Sequence, residues 1–191
     1  MASHVLVRST LVPQTKLFND VLYVVGAAGL IAAAAQVSIA LPFTPVPITG
    51  QTFAVLLTGA ALGWGRGAAG SGLYMLVGLA GVPVYAGGSA GWSVLSGASG
   101  GYLIAFPIAA SLVGLLAERR WDRTFSSAIG AMLTGNLVIY IAGLSWLAVS
   151  LHTNLDKTLL YGLYPFIVGD LLKVYLAAAL LPFAWRLVAK R

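Results

Sequence analysis

The chain has 191 residues, 59% of them hydrophobic and 8% charged, with a mean hydropathy of +0.92 and a formal charge of +6. Soluble globular proteins carry about a quarter charged residues, so this composition cannot cover a surface in water and reads as an integral membrane protein. The absence of cysteine excludes disulfides, thiol catalysis and cysteine-ligated metals. Two histidines, His4 and His152, leave little for an imidazole metal site, so no metal or cofactor is expected.

In chain order, residues 1–20 read as a mixed tail with Arg8 and Lys16, followed by an apolar run from Val21 to Leu41. Secretory signal cores are about 7–15 residues; this run is longer and reads as a retained first span. A helix needs about 20 apolar residues to cross a bilayer, fewer where protein surrounds it. Six segments qualify: 21–41, 51–64, 67–81, 101–117, 125–149 and 162–186. The expected fold is an all-α six-transmembrane-helix bundle, with residues 1–20 as a cytoplasmic tail and residues 21–191 as a single substrate-binding domain. Gly59, Gly63, Gly70, Gly72 and Gly78 mark the short second and third spans as tightly packed.

Charge orients the bundle. One face carries Arg8, Lys16, Arg66, Arg119, Arg120, Arg123, Arg186, Lys190 and Arg191, nine of the eleven basic residues. The other face has Lys157 alone. By the positive-inside rule both termini are cytoplasmic, which accounts for the basic balance without nucleic acid. The "ERRWDR" loop, Glu118 to Arg123, reads as a solvated, orienting segment.

The outer loops "LPFTPVPITGQT" (41–52) and "VPVYAGGSAGWSVLSGASGGY" (82–102) carry no charge. Prolines stiffen the first and glycines free the second from helical geometry. Non-helical backbone at membrane depth must be buried in protein or line a cavity, because lipid cannot satisfy its amides. Both loops are therefore expected to fold over an outward-facing pocket.

Within the last span, Asp170 and Lys173 are three residues apart and share a helix face. Counting at about 1.5 Å per residue from an outer end near Gly162 puts Asp170 roughly 12 Å deep. Charges at such depth usually face a bundle interior or a cavity. A mutually neutralising structural pair is one reading, although buried ion pairs often stabilise no more than apolar packing does. The functional reading is a carboxylate acceptor and an ammonium donor offered to a polar ligand. A urea group suits that pair, and a hydroxyl-bearing or zwitterionic ligand fits as well.

Other polar and aromatic residues reach the same mouth: Gln51 and Thr52 at the outer start of span 2, Tyr85, Trp92, Ser96, Ser99 and Tyr102 in the glycine-rich loop, and Asn136 in span 5. Each also has a bland role, as an interfacial aromatic or an interhelical hydrogen-bonding residue. In span 1, Gly26 and Leu30 lie on one stripe and Ala28 and Ala32 on another. Such small-residue surfaces pack within a bundle or dock a partner.

Neither G-x-x-x-x-G-K-[ST] nor H-E-x-x-H occurs, so ATP-driven work must come from another subunit. "GASG" (97–100) resembles the serine motif of rhomboid-type intramembrane proteases, but no span supplies a base to activate Ser99. No enzyme activity is expected.

The segments "FTPVPITGQTFAVLLTGAALG", "LYMLVGLAGVPVYAGG", "GASGGYLIAFPIAA" and "GDLLK" occur in that order over most of the chain. Together they resemble the BioY family, the biotin-specific S components of energy-coupling-factor transporters; Ala98 stands where that family usually has proline. The resemblance implies six helices and an outward-opening biotin pocket. It makes Asp170 the acceptor for ureido N–H and Lys173 the donor to its carbonyl. It also suggests Tyr85 and Trp92 against the ring, Gln51 through its "TGQT" context, and amides and hydroxyls of residues 96–101 for the carboxylate. A transmembrane coupling protein and two ATPase subunits are the implied partners, with span 1 as the docking surface. The implied location is the inner membrane of a bacterium. An S component for another vitamin, or a membrane scaffold with a structural ion pair, are the alternatives.

Overall fold

Apolar stretches punctuated by glycine and proline fold into packed helices in the computed structural model, which describes residues 16–189. The elements are α1 (Lys16–Gln36), α2 (Gln51–Leu62), α3 (Trp64–Leu79), α4 (Trp92–Ser96), α5 (Gly100–Glu118), α6 (Phe125–Leu151), α7 (Leu155–Gly162) and α8 (Ile167–Ala189). A two-residue hairpin, β1 (Ser38–Ile39) against β2 (Ile48–Thr49), interrupts this helical pattern. Four helical stretches, Leu17–Gln36, Gly100–Glu118, Phe125–Leu151 and Leu155–Leu187, are long and apolar enough to cross a membrane; Gln51–Leu62 is apolar but shorter.

Helix α5 lies at the centre, packed against α2, α3 and α6, with α1 against α2 and α3, and α8 against α6 and α2. Small residues permit this closeness. A Cβ placed on Gly67 would fall 2.7 Å from the Cα of Gly59, so α2 and α3 meet backbone to backbone, as membrane helices do where Gly and Ala line the interface. Large apolar side chains turn outward instead, among them Val149 and Val168 at 74% and 79% exposure. That is the expected arrangement when lipid is the solvent.

Three expectations change. The first helix runs from Lys16 to Gln36 rather than over 21–41; residues 1–15 of the expected tail lie outside the described residues. Its apolar continuation folds back as the hairpin, with Gly50 N–H donating to Val37 O at 3.0 Å. Hydropathy cannot separate such an apolar hairpin from a lipid-facing turn of helix. The last span is broken: α7 ends at Gly162, a 3-10 turn covers Tyr164–Phe166 around Pro165, and α8 begins at Ile167. Asp170 therefore stands in the first turn of α8, where unpaired backbone N–H groups favour a carboxylate.

The third change concerns "ERRWDR". Arg119 and Arg120 are exposed, but Asp122 is only 1% exposed. Trp185 Nε1 of α8 donates to Asp122 Oδ2, and the Arg123 guanidinium lies 3.2 Å from the centre of the Trp185 ring. The loop is thus pinned to the end of α8.

Candidate functional site

A cavity of about 400 Å³ opens at the end of the bundle that carries the two uncharged loops. That lies within the roughly 300–1,000 Å³ of small-molecule sites. The loop joining α1 to α2 contributes Ser38, Thr44–Pro47 and Thr49, and the loop after α3 contributes Tyr85–Gly87 and Ser89. Gln51 and Thr52 come from the start of α2, Tyr102, Leu103 and Phe106 from α5, Ile139 and Tyr140 from α6, and Asp170 and Lys173 from α8.

The charge pair is the polar centre of this chamber. Lys173 Nζ donates to Asp170 Oδ1 at 2.8 Å and to Thr52 Oγ1 at 3.0 Å. The Tyr140 hydroxyl donates to Asp170 Oδ2. Both side chains are largely buried, at 10% and 18% exposure. An ammonium has three donors and each carboxylate oxygen two acceptor sites. The protein uses two of the lysine's protons and one site on each oxygen. One N–H donor and a carboxylate acceptor edge remain for a ligand, the complement of a group presenting a carbonyl beside an N–H.

Around the pair the walls are held by hydrogen bonds. Gln51 Oε1 accepts from Thr49 Oγ1 at 2.9 Å and its Nε2 donates to Tyr74. Tyr85 donates to Met75 O at 2.5 Å and meets Tyr74 edge-on, with ring centres 5.6 Å apart. Tyr102 donates to Gly162 O at 2.9 Å, tying α5 to the break before α8. Its ring fits because position 143 is glycine: a Cβ there would collide with it. The roof is tied down by Thr44 Oγ1, which donates to Tyr161 O at 2.6 Å. Gln36 Nε2 lies 3.3 Å from both Val84 O and Tyr85 O, joining α1 to the loop after α3.

Of the residues singled out from sequence, Asp170, Lys173, Gln51, Tyr85, Ser99 and Tyr102 all line the cavity. Trp92 does not: it begins α4, 68% exposed. Asn136 is buried below the chamber, beside Thr52 and Lys173 in a pocket of about 10 Å³. Ser96 donates to Trp92 O at 3.0 Å instead of facing the cavity. In α1, Ala28 is buried and Ala32 packs against the core, so that stripe serves the bundle itself. Gly26 and Leu30 stay exposed along an apolar groove with Leu57 and Ala61 of α2.

Sequence reasoning missed Tyr140 and gave Thr52 no role with the lysine. Tyr140 lies four residues after Asn136 on the same face of α6; a polar residue repeating at that spacing in an apolar helix was the available signal. Ser38, read as part of a span, lines the cavity because the helix stops at Gln36.

Residues 7–190 match the family model described as "BioY family". A probable biotin transporter BioY of Pyrococcus horikoshii is 41% identical over 144 residues, 75% of this chain and 82% of that protein. The biotin transporter BioY of Thermotoga maritima is 36% identical over 140 residues, 73% and 81% of the two chains. Among solved structures, the S-component for biotin from an ECF-type ABC transporter superposes with a TM-score of 0.81 at 26% identity, covering 92% of this chain and 95% of that one. With its motifs, its helical bundle and nearly its whole length in common with these proteins, the chain belongs to the BioY family.

Proposed function

We propose that this protein captures biotin from outside the cell and hands it inward as the S component of an ATP-driven uptake system. The observation that carries the reading is the Asp170–Lys173 pair, which lines one edge of the chamber with one ammonium proton and carboxylate acceptor sites to spare. The ureido ring of biotin presents N–H beside C=O. Asp170 accepts from the N–H and Lys173 donates to the carbonyl, two charge-assisted bonds away from bulk water. Tyr140 and Thr52 hold the two charges in place. Tyr85, Tyr102, Phe106 and Phe166 supply apolar walls for the thiophane ring and the chain of the tail.

The chamber lies at the end opposite Arg66, Arg119, Arg120, Arg123 and Arg186, so the positive-inside rule faces it outward. Six helices, α1, α2, α3, α5, α6 and α8, then cross the cytoplasmic membrane, with both termini inside and residues 21–191 acting as one binding domain. No residue is assigned a chemical step. Delivery falls to a transmembrane coupling protein and two ATPase subunits, reached through the exposed face of α1 that carries Gly26 and Leu30. Equilibrium binding of labelled biotin to the purified chain in detergent tests the reading. Saturable binding competed by unlabelled biotin and not by thiamine or riboflavin is expected; preference for another vitamin overturns it.

A further inference from the structure

The charges that line the cavity are Asp170 and Lys173, and they neutralise each other at 2.8 Å. Biotin, however, is an acid, ionised at neutral pH at the far end of its tail. Elsewhere on the wall the polar groups are neutral. The hydroxyls of Ser38 and Ser99 have no hydrogen-bond partner among the described residues. Lys157, on α7, is exposed and outside the lining. Arg123 is 17 residues from Tyr140 along the chain at the other end of α6, about 25 Å by helical rise, well beyond the roughly 10 Å over which exposed charges act in salt.

From this, and resting on the reading of the cavity as a biotin site, we infer that the protein selects the ureido head and is indifferent to the charge of the tail. Its ligand class then includes biotin whose carboxyl is masked as a neutral amide or ester. A hydroxyl donates to a carboxylate oxygen as readily as it accepts from an amide N–H, so Ser38 and Ser99 serve either tail. A dedicated arginine or lysine would favour the anion by about 10- to 150-fold, and among the described residues no cation besides Lys173 lines the chamber. Desolvating a carboxylate without a counter-charge is costly, and a neutral tail avoids that cost. The selective part of the site is therefore its floor, at Asp170 and Lys173.

The test is competition against labelled biotin on the purified full chain, using biotinamide and biotin methyl ester. Inhibition constants within about tenfold of that of biotin are expected. If biotin binds and both neutral forms are more than tenfold weaker, the inference falls and the site reading stands. If biotin itself fails to bind to folded protein, the site reading falls and takes the inference with it. A second measurement uses Lys157→Ala: unchanged biotin affinity is expected. A tenfold loss for biotin alone, with biotinamide unaffected, would reveal a cation for the tail and overturn the proposal.

Discussion

Lys173→Met removes the ammonium and keeps most of its apolar stem, so it isolates the charge. In the structure that ammonium makes two protein bonds, to Asp170 at 2.8 Å and Thr52 at 3.0 Å, which leaves one of its three donors over, and Lys173 lines the cavity. Losing one charge-assisted bond to a ligand carbonyl costs about 1.5–3 kcal/mol, which is roughly 10- to 150-fold in affinity. Stability changes too. Removing one partner of a buried pair typically costs about 3–5 kcal/mol, and here the lower end applies, because the side chains keep 10% and 18% exposure and Tyr140 still donates to Asp170. The two effects separate in the double variant Asp170→Asn/Lys173→Met, which leaves no stranded charge. Melting in detergent should show the single variant destabilised and the double variant close to wild type. Labelled-biotin binding should be weaker by about tenfold or more in both. A double variant that binds biotin like the wild type, or a Lys173→Met whose affinity falls less than threefold, refutes the assignment.

Tyr140→Phe leaves Asp170 Oδ2 without its protein donor while Lys173 still holds Oδ1; biotin should bind about 3- to 30-fold more weakly, and unchanged titration curves would deny Tyr140 a positioning role. Trp92→Ala changes an exposed residue off the cavity, so affinity should stay within about twofold; a tenfold loss would show that the indole meets the ligand. For Asp122, burial raises the carboxyl above its ordinary range, outweighing the Trp185 bond and the Arg123 charge. Ionising it therefore costs the folded state more than the unfolded chain, so its contribution is most favourable at low pH and is lost as pH rises through the folded value. Asp122→Asn should raise the melting temperature near neutral pH, with the gain shrinking toward about pH 4; a lower melting temperature at neutral pH contradicts this balance.

The course of the helices was legible because lipid-facing spans announce themselves by length and composition. Segments 51–64, 67–81, 101–117 and 125–149 fall within a few residues of α2, α3, α5 and α6. The misreadings came at the two ends of the chamber, where the apolar pattern runs on past the ends of the helices. Residues 37–41 are as hydrophobic as a span, yet they form a hairpin over the cavity. Around Pro165, an unbroken apolar run conceals the junction that puts Asp170 in a helical first turn. Asp170 and Lys173 stood out as a pair because two charges three residues apart interrupt an apolar span. Tyr140 and Thr52 were not, because their partners are 30 and 121 residues away along the chain. Ala28 and Gly26 show the same limit: spacing marks a small-residue surface, and only packing tells that the first is buried and the second open.

Two carboxylates in this chain are buried to similar degrees, and comparing them shows why burial alone does not mark a site. Asp122 is 1% exposed and Asp170 is 7%. Asp122 accepts from Trp185, and its other oxygen lies 3.6 Å from Arg123 Nε without a hydrogen bond. Neither Asp122 nor Arg123 lines the chamber. That carboxylate anchors a loop, and an unmet acceptor beside an unmet donor is the arrangement a neutral replacement improves. Asp170 has the opposite surroundings. Both its oxygens are met by donors, its ammonium partner has a proton left over, and the edge they share opens onto about 400 Å³ of space. A structural ion pair gains most by using all its donors and excluding volume. This pair keeps a donor and a cavity, and that combination separates a group held for a ligand from one held for the fold.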